Sequence, residues 1–162
     1  MGDRLWRAID ALPSGSGIVF RHHDTLAEER VELAKRVAEA SRQRNLTLAI
    51  SRDIGLARAL DAALVHNPAG DPGASPFSRS AHSLEQARAA NEAGASLIFL
   101  SPIQMTRSHP GRLSMPDEEV RRILALLEVP CIALGGMNRE RFARIEQDGF
   151  YGWAGIDAWL GT

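Results

Sequence analysis

The sequence has little or none of several features on which whole classes of protein depend. Cys131 is the one cysteine among 162 residues, so an intrachain disulfide is excluded. No apolar run approaches the ~18 residues of a membrane span, and no basic-then-apolar leader opens the chain. A net charge of −1 supplies no basic stripe for nucleic acid or an anionic membrane. We therefore expect a cytoplasmic protein with one globular domain, residues 1–162, and neither of those partners.

Lysine is almost missing as well. Apart from Lys35, every basic residue is an arginine. Lys35 lies in the middle of a predicted helix, which excludes the Schiff-base chemistry of a class I aldolase. Arginine instead suits bidentate recognition of phosphate oxygens.

Seven apolar segments predict β-strands. Segments such as IVF, LIFL and CIAL are continuously apolar, which is typical of parallel strands buried on both faces. Because helical stretches alternate with them, the predicted fold class is α/β, either a parallel open sheet or a (β/α) barrel. The predicted strands cover residues 17–20, 46–50, 63–66, 77–81, 97–101, 130–135 and 151–156.

Five amphipathic stretches predict helices. In the clearest one, Thr25 and Glu28 have the spacing of a capping box, and Asn45 marks the end. Ser83 opens another helix, with Gln86 three residues later. The predicted helices cover residues 3–12, 26–44, 83–93, 116–127 and 138–147, and residues 67–76 and 105–114 are predicted loops.

Polar residues gather where the predicted strands end, which is the working face of a (β/α) barrel. All five histidines follow a strand or lie in the loop after one, and histidine transfers protons near neutral pH. They are either a functional group or separate strand-end residues with satisfied hydrogen bonds, and for the group we favour function. The strand-end residues include Arg21, His22, His23, Ser51, Arg52, Asp53, His66, Asn67, Ser80, His82, Ser101, Gly135, Gly136 and Asp157.

Two loops carry signals for anion binding. Gly135-Gly136 lets backbone N–H groups approach a ligand, and Asn138 can cap a helix whose N-terminus attracts phosphate. The alternative is a tight strand-to-helix turn without a ligand. Arg107 and His109 lie in the segment TRSHPG, which is either a lid that grips phosphate or a solvated loop.

Read together, the segments resemble the thiamine phosphate synthase family and its thiazole tautomerase relatives. The resemblance runs from Gly17 to Leu160. It depends on the order and spacing of Ser80-Ala81-His82-Ser83, Leu100-Ser101-Pro102 leading to Thr106-Arg107-Ser108, and Ile132-Ala133-Leu134-Gly135-Gly136-Met137.

The resemblance implies a (β/α)8 barrel that joins a hydroxymethylpyrimidine diphosphate to a thiazole phosphate, with Mg²⁺ helping pyrophosphate to leave. Phosphorylated small molecules are then the expected partners. The candidate catalytic residues are Arg21, His23, His82 and His109. The implied substrate-binding residues are Ser80, Thr106, Arg107, Gly135 and Gly136, and Asp71 is the implied Mg²⁺ ligand.

The sequence departs from the family pattern at four places. His23 and His109 stand where the family has lysine. Ser51-Arg52 replaces an Asn-Asp pair, which exchanges a metal carboxylate for a cation. Asp157 replaces a small serine near the phosphate site. Each change alters the charge available to a diphosphate or to Mg²⁺.

The length also departs from a complete barrel, which usually takes about 250 residues. Residues 3–12 already read as the first helix, so the first strand is missing and about seven parallel strands remain. The strands at Gly17 and Tyr151 would then have unpaired edges. Either a partner chain of a homo-oligomer covers them, or they pair with each other, or the natural protein begins upstream of Met1.

Three functions are compatible with these residues. The first is the synthase reaction. The second is thiazole tautomerase chemistry, in which His82 or its neighbours act as acid and base without a metal. The third is a non-catalytic homologue that binds a phosphorylated metabolite. The first two require that Arg21 and Gly135-Gly136 line one cavity for anionic groups.

Overall fold

The computed structural model describes residues 2–104, 114–155 and 157–159. Its internal contacts divide the chain into two compact units, Met1–Phe77 and Ser78–Thr162. Each unit is built from parallel strands that alternate with helices along the chain.

The first unit begins with a helix and continues through three strands. Helices α1 (Gly2–Ala11), α2 (Ala27–Gln43) and α3 (Ile54–Ala59) alternate with strands β1 (Gly17–Phe20), β2 (Thr47–Ser51) and β3 (Leu64–His66). Both strand pairs are parallel, with Phe20 opposite Ile50 and Ser51 opposite His66. Because these pairs lie at the strand ends, the carboxyl ends of all three strands meet at one edge of the sheet.

The second unit contains the remaining four strands. Strands β4 (Phe77–Ala81), β5 (Leu97–Leu100), β6 (Cys131–Leu134) and β7 (Gly152–Ala154) alternate with helices α4 (Leu84–Glu92), α5 (Asp117–Leu126) and α6 (Arg139–Ala143). Each neighbouring pair in the order β4-β5-β6-β7 is parallel. Two short 3₁₀ turns, Glu146–Asp148 and Asp157–Trp159, complete the described elements.

Each unit has its own apolar centre. Ile50, Val65 and Val37 are at most 1% exposed in the first unit, and Ile98 and Leu100 are fully buried in the second. The centres of β2 and β5 are therefore closed to solvent, whereas β4 carries the half-buried polar residues Arg79 and Ser80. None of the described helices combines the length and apolarity that crossing a membrane requires.

The predicted strand pattern is confirmed. All seven strands form within a residue or two of their predicted bounds, and the order is that of a TIM-type (β/α) fold that lacks the first strand. Helix α1 precedes β1, as the sequence predicts. In the described residues β1 has β2 as its one strand neighbour, and β7 has β6.

Two local predictions about helices are wrong, and one short helix was not predicted. Thr25 and Glu28 form no capping box, because α2 starts one residue later, with Leu26 at its N-cap and no side-chain cap. Helix α6 ends at Ala143 and tightens into a 3₁₀ turn, with Ile145 N–H donating to the Phe142 carbonyl. Helix α3 was not predicted, since its six residues are too few for a clear helical period.

Candidate functional site

A polar cavity of about 290 Å³ lies at the carboxyl ends of β1, β2 and β3. Two exposed arginines, Arg21 and Arg52, are among the residues that line it. Its chemistry is that of an anion site, because the lining contains two cations, a hydroxyl and an amide but no carboxylate. The lining residues are Arg21, Ser51, Arg52, Asn67, Pro68 and Ala69.

Arg30 of α2 holds the strand ends of this cavity in place. Its Nη1 donates to Asp53 Oδ2 at 2.9 Å, and its Nη2 donates to the Ser51 carbonyl at 3.4 Å. The guanidinium also lies 5.8 Å from the ring centroid of Phe20, which stacks on His22. One side chain thus ties α2 to the ends of β1 and β2.

Asp53 links this arrangement to α3. Its Oδ1 accepts from the Leu56 N–H at 2.9 Å and so caps the helix. Burial of the carboxyl opposes ionisation, but the hydrogen bonds from Leu56 and Arg30 outweigh burial and lower the pKa of Asp53. Asp53 is therefore ionised at neutral pH and already has its partners.

His23 contacts Ser51, one of the residues that line the cavity. Its Nε2 lies 3.2 Å from the Ser51 hydroxyl. Burial, followed by the positive charges of Arg30, Arg21 and Arg52, lowers the pKa of His23. The same positive potential that disfavours imidazolium favours a phosphate group.

His66 fits the alternative in which a histidine at a strand end has satisfied hydrogen bonds and no further role. It is 3% exposed, and the Asn67 amide lies 3.1 Å from its Nε2. The amide can donate to that nitrogen, which gives the buried ring a hydrogen-bond partner at the end of β3. His22 differs, because its Nε2 is buried without a hydrogen-bond partner among the described residues. Burial and the charge of Arg30 lower the pKa of His22.

The residues described around Asp71 do not fit a magnesium ion. Asp71 is exposed, and its Oδ1 accepts from the Gly73 N–H at 2.8 Å. Within residues 2–104, 114–155 and 157–159 no group of three His, Cys, Asp or Glu side chains could hold a metal ion. Mg²⁺ prefers a near-octahedral shell of oxygens that includes carboxylates. The metal role of Asp71 stays a prediction.

In the second unit, His82 follows β4 and contacts the end of β5. Its Nδ1 lies 2.9 Å from the Ser101 carbonyl and 3.0 Å from the Ser101 hydroxyl. A carbonyl can only accept, so Nδ1 carries the hydrogen and neutral His82 has its lone pair on Nε2. Nε2 is thus the nitrogen that could take a proton from a ligand. Ser80, two residues earlier, is half-buried.

Gly135 and Gly136 form a turn that only glycine fits easily. Their φ angles are +95° and +63°. A Cβ on Gly135 would lie 2.9 Å from Pro102 Cα, so the turn packs directly on the backbone after β5. The Gly135 carbonyl accepts from the Gln104 N–H at 3.1 Å, which joins the two loops.

The positive charge beside the Gly135-Gly136 turn comes from the guanidinium of Arg141 rather than from the dipole of α6. Asn138 caps α6 as predicted, with its Oδ1 accepting from the Arg141 N–H at 2.9 Å. However, α6 has only five residues and therefore little dipole. Arg141 also donates from its guanidinium to the Gly136 carbonyl, so a permanent cation lies at the glycine turn.

Several predicted site residues lie outside the described residues. These are Thr106, Arg107 and His109, together with the side chain of Asp157. Arg21 belongs to the first unit and Gly135-Gly136 to the second. That they line one cavity stays a prediction.

Sequence reasoning missed three residues of these arrangements: Arg30, Ser101 as the partner of His82, and Arg141. Arg30 and Arg141 look like ordinary helix-surface cations in the sequence. A signal was available for the start of α3 but not for the Arg30 pair, because Asp53 precedes Leu56 with N-cap spacing.

Comparison with known proteins agrees with this architecture. Residues 3–159 match the family described as thiamine monophosphate synthase. A protein of Aquifex aeolicus named "Putative thiamine-phosphate synthase 2" is 32% identical over 152 residues, covering 88% of this chain and 82% of the relative. A thiamine-phosphate synthase of Haloarcula marismortui is 29% identical, covering 80% of this chain and 68% of the relative.

A solved structure shows the same fold. The thiamine phosphate pyrophosphorylase from Pyrococcus furiosus superposes with a TM-score of 0.83 over 99% of this chain and 81% of its own, at 22% sequence identity. At that identity the likeness concerns the fold alone. Since the family match covers nearly all of the sequence, the chain belongs to the thiamine monophosphate synthase family.

Proposed function

We propose that this protein is a transferase that joins a hydroxymethylpyrimidine diphosphate to a thiazole phosphate. The observation that carries the proposal is the family match from residue 3 to residue 159, which includes every described strand. The relatives are named as synthases, which favours this reaction over the tautomerase and non-catalytic alternatives.

In this reaction the bond between the pyrimidine methylene carbon and the diphosphate oxygen breaks, and pyrophosphate leaves with the electron pair. The thiazole nitrogen lone pair forms the new C–N bond to the same carbon. Positive charge grows on the pyrimidine fragment and negative charge on the departing oxygen. Cations placed around the leaving group therefore lower the barrier.

The cavity of the first unit supplies such cations. Arg21 and Arg52 line it, each guanidinium carries five N–H donors, and together they would hold the diphosphate. His23 is the third group, because a bound diphosphate would raise the tendency of its ring to take a proton.

The second unit offers a place for the thiazole phosphate. Backbone N–H groups of the turn at Gly135 and Gly136, with the guanidinium of Arg141 beside it, are suited to a phosphate. We further propose that Ser80 and His82 contact the substrates, His82 through Nε2. Thr106, Arg107 and His109 remain proposed contacts from the loop after β5.

The test supplies purified protein with both phosphorylated precursors and measures pyrophosphate and the condensed product. Arg21→Ala should lower kcat/KM by about tenfold or more, as expected for losing charge-assisted hydrogen bonds. Arg42→Ala is the matched control, because Arg42 is an exposed arginine of α2 that pairs with Glu39. No product at saturating precursors, with and without Mg²⁺, would contradict the proposal.

Three broader properties complete the proposal: a single domain over residues 1–162, a cytoplasmic location and a homo-oligomer. The family match runs through both compact units, which supports one domain. Ultracentrifugation of the purified protein tests the oligomer, and a monomer at all concentrations would contradict it.

A further inference from the structure

Arg52 has an unusual backbone that is fixed on both sides. Its φ is +70°, a region that arginine rarely adopts. Its N–H donates to the His66 carbonyl at 2.8 Å, and its carbonyl accepts from the Ala69 N–H at 3.1 Å. The residue is therefore held in a strained conformation by β3 and the loop that follows it.

The side chain of Arg52 has no anion of its own in the part of the chain that the structure describes. The nearest carboxylate along the sequence, Asp53, is taken by Arg30 and by the Leu56 N–H. No ion pair of the described residues includes Arg52 or Arg21. Two arginines of the cavity lining thus have no carboxylate partner among the described residues.

The cavity suits a highly charged anion and disfavours a divalent cation. Its volume, about 290 Å³, is near the lower end of ligand pockets, which is suitable for a small charged group. None of its lining residues is a carboxylate, the ligand on which a hard cation such as Mg²⁺ depends. Two nearby positive charges would also repel such a cation.

We propose that this cavity binds a diphosphate group without a divalent cation, with Arg52 supplying the charge that a metal ion would otherwise provide. The inference deepens the proposed function and rests on it for the identity of the natural ligand. Arg52 acts here as a binding residue for the leaving group, together with Arg21. Its two backbone hydrogen bonds hold Arg52 among the residues that line the cavity.

The test is calorimetric titration of the purified protein with inorganic pyrophosphate, once in EDTA and once in excess Mg²⁺. We expect binding in EDTA, with an affinity that Mg²⁺ leaves unchanged or lowers, since Mg²⁺ reduces the charge of pyrophosphate. Binding that appears only with Mg²⁺ would overturn the proposal.

Arg52→Gly is the decisive variant. Glycine adopts a positive φ without strain, so this variant should fold at least as stably as the parent while losing the guanidinium. We expect its pyrophosphate affinity in EDTA to fall by about tenfold or more. Arg52→Lys should retain part of the affinity as a point charge, and Arg42→Ala should retain all of it. Unchanged affinity in Arg52→Gly would refute the role of Arg52.

A condensation assay in EDTA separates this inference from the proposed function. Pyrophosphate binding in EDTA, with no condensation either in EDTA or in excess Mg²⁺, would sink the synthase proposal and leave the binding site standing. Condensation that requires Mg²⁺, together with pyrophosphate binding that requires Mg²⁺, would support the synthase proposal and overturn the metal-free binding site.

Discussion

Replacing Gly135 by alanine tests how the glycine turn is built. Two costs act at this position. The φ of +95° is unfavourable for any L-residue, and the new methyl group would lie 2.9 Å from Pro102 Cα and 3.2 Å from Pro102 Cβ. Because the first contact is backbone, it cannot be relieved by a side-chain rotation. Gly149 is the matched control, since its φ is +103° and a Cβ there meets nothing within 4 Å.

The difference between the two variants isolates the steric cost. A left-handed backbone costs an L-residue about 1–2 kcal/mol, and the less flexible unfolded chain of alanine returns about 0.4–1 kcal/mol. The backbone cost and the unfolded-chain effect act in both Gly135→Ala and Gly149→Ala, so they cancel in the comparison. Overpacking adds about 1–3 kcal/mol at position 135 alone. We therefore expect Gly135→Ala to lower the free energy of unfolding by about 1–3 kcal/mol more than Gly149→Ala does.

Urea unfolding followed by circular dichroism measures this difference, and for a chain of 162 residues it corresponds to a Tm difference of about 2–12 °C. Calorimetric titration of the parent and of folded Gly135→Ala with inorganic phosphate then reports whether the substitution changes phosphate binding. Free energies of unfolding within about 0.5 kcal/mol of each other would refute the close packing of Gly135 on Pro102.

Three further predictions concern other contacts. Asp53→Ala should cost about 1–2 kcal/mol and Asp53→Asn about half of that, because asparagine keeps the cap but not the charge facing Arg30. Since the pKa of Asp53 is lowered from 3.8, the advantage of the parent over Asp53→Asn in urea unfolding is full above about pH 4. This difference in the free energy of unfolding should shrink as the pH falls through the lowered pKa of Asp53 in the folded protein. A difference that grows in acid would contradict this. Ser101→Ala should leave His82 protonated on Nδ1, because the Ser101 carbonyl remains as acceptor; ¹⁵N NMR would show Nε2–H instead if this is wrong. Burial raises the pKa of the Cys131 thiol to about 12, so iodoacetamide should label Cys131 only after unfolding, and rapid labelling of the native protein at pH 8 would count against a closed core.

The strand pattern and several local caps are determined by the sequence itself. A continuous apolar run such as Leu97–Leu100 is typical of a parallel strand covered on both faces, and its alternation with helical stretches predicts the βαβ order. Ser83 and Asn138 cap their helices as predicted, because a cap needs only a side-chain oxygen and an N–H three residues away. Both signals are local, and the folded chain preserves them.

The site depends on contacts between residues distant along the chain, and these were decided by the tertiary structure. Arg30 reaches Asp53 from 23 positions away, and His82 finds Ser101 from 19 positions away, neither of which a spacing rule anticipates. Arg52 could be identified from the sequence as a cation at a strand end. Its positive φ, its lack of a carboxylate partner in the described residues and its place at a cavity wall depend on backbone bonds from β3 and the following loop. The pattern of residues within one segment predicts which of its side chains are buried. The position of a charged side chain depends instead on which distant segments the fold brings into contact.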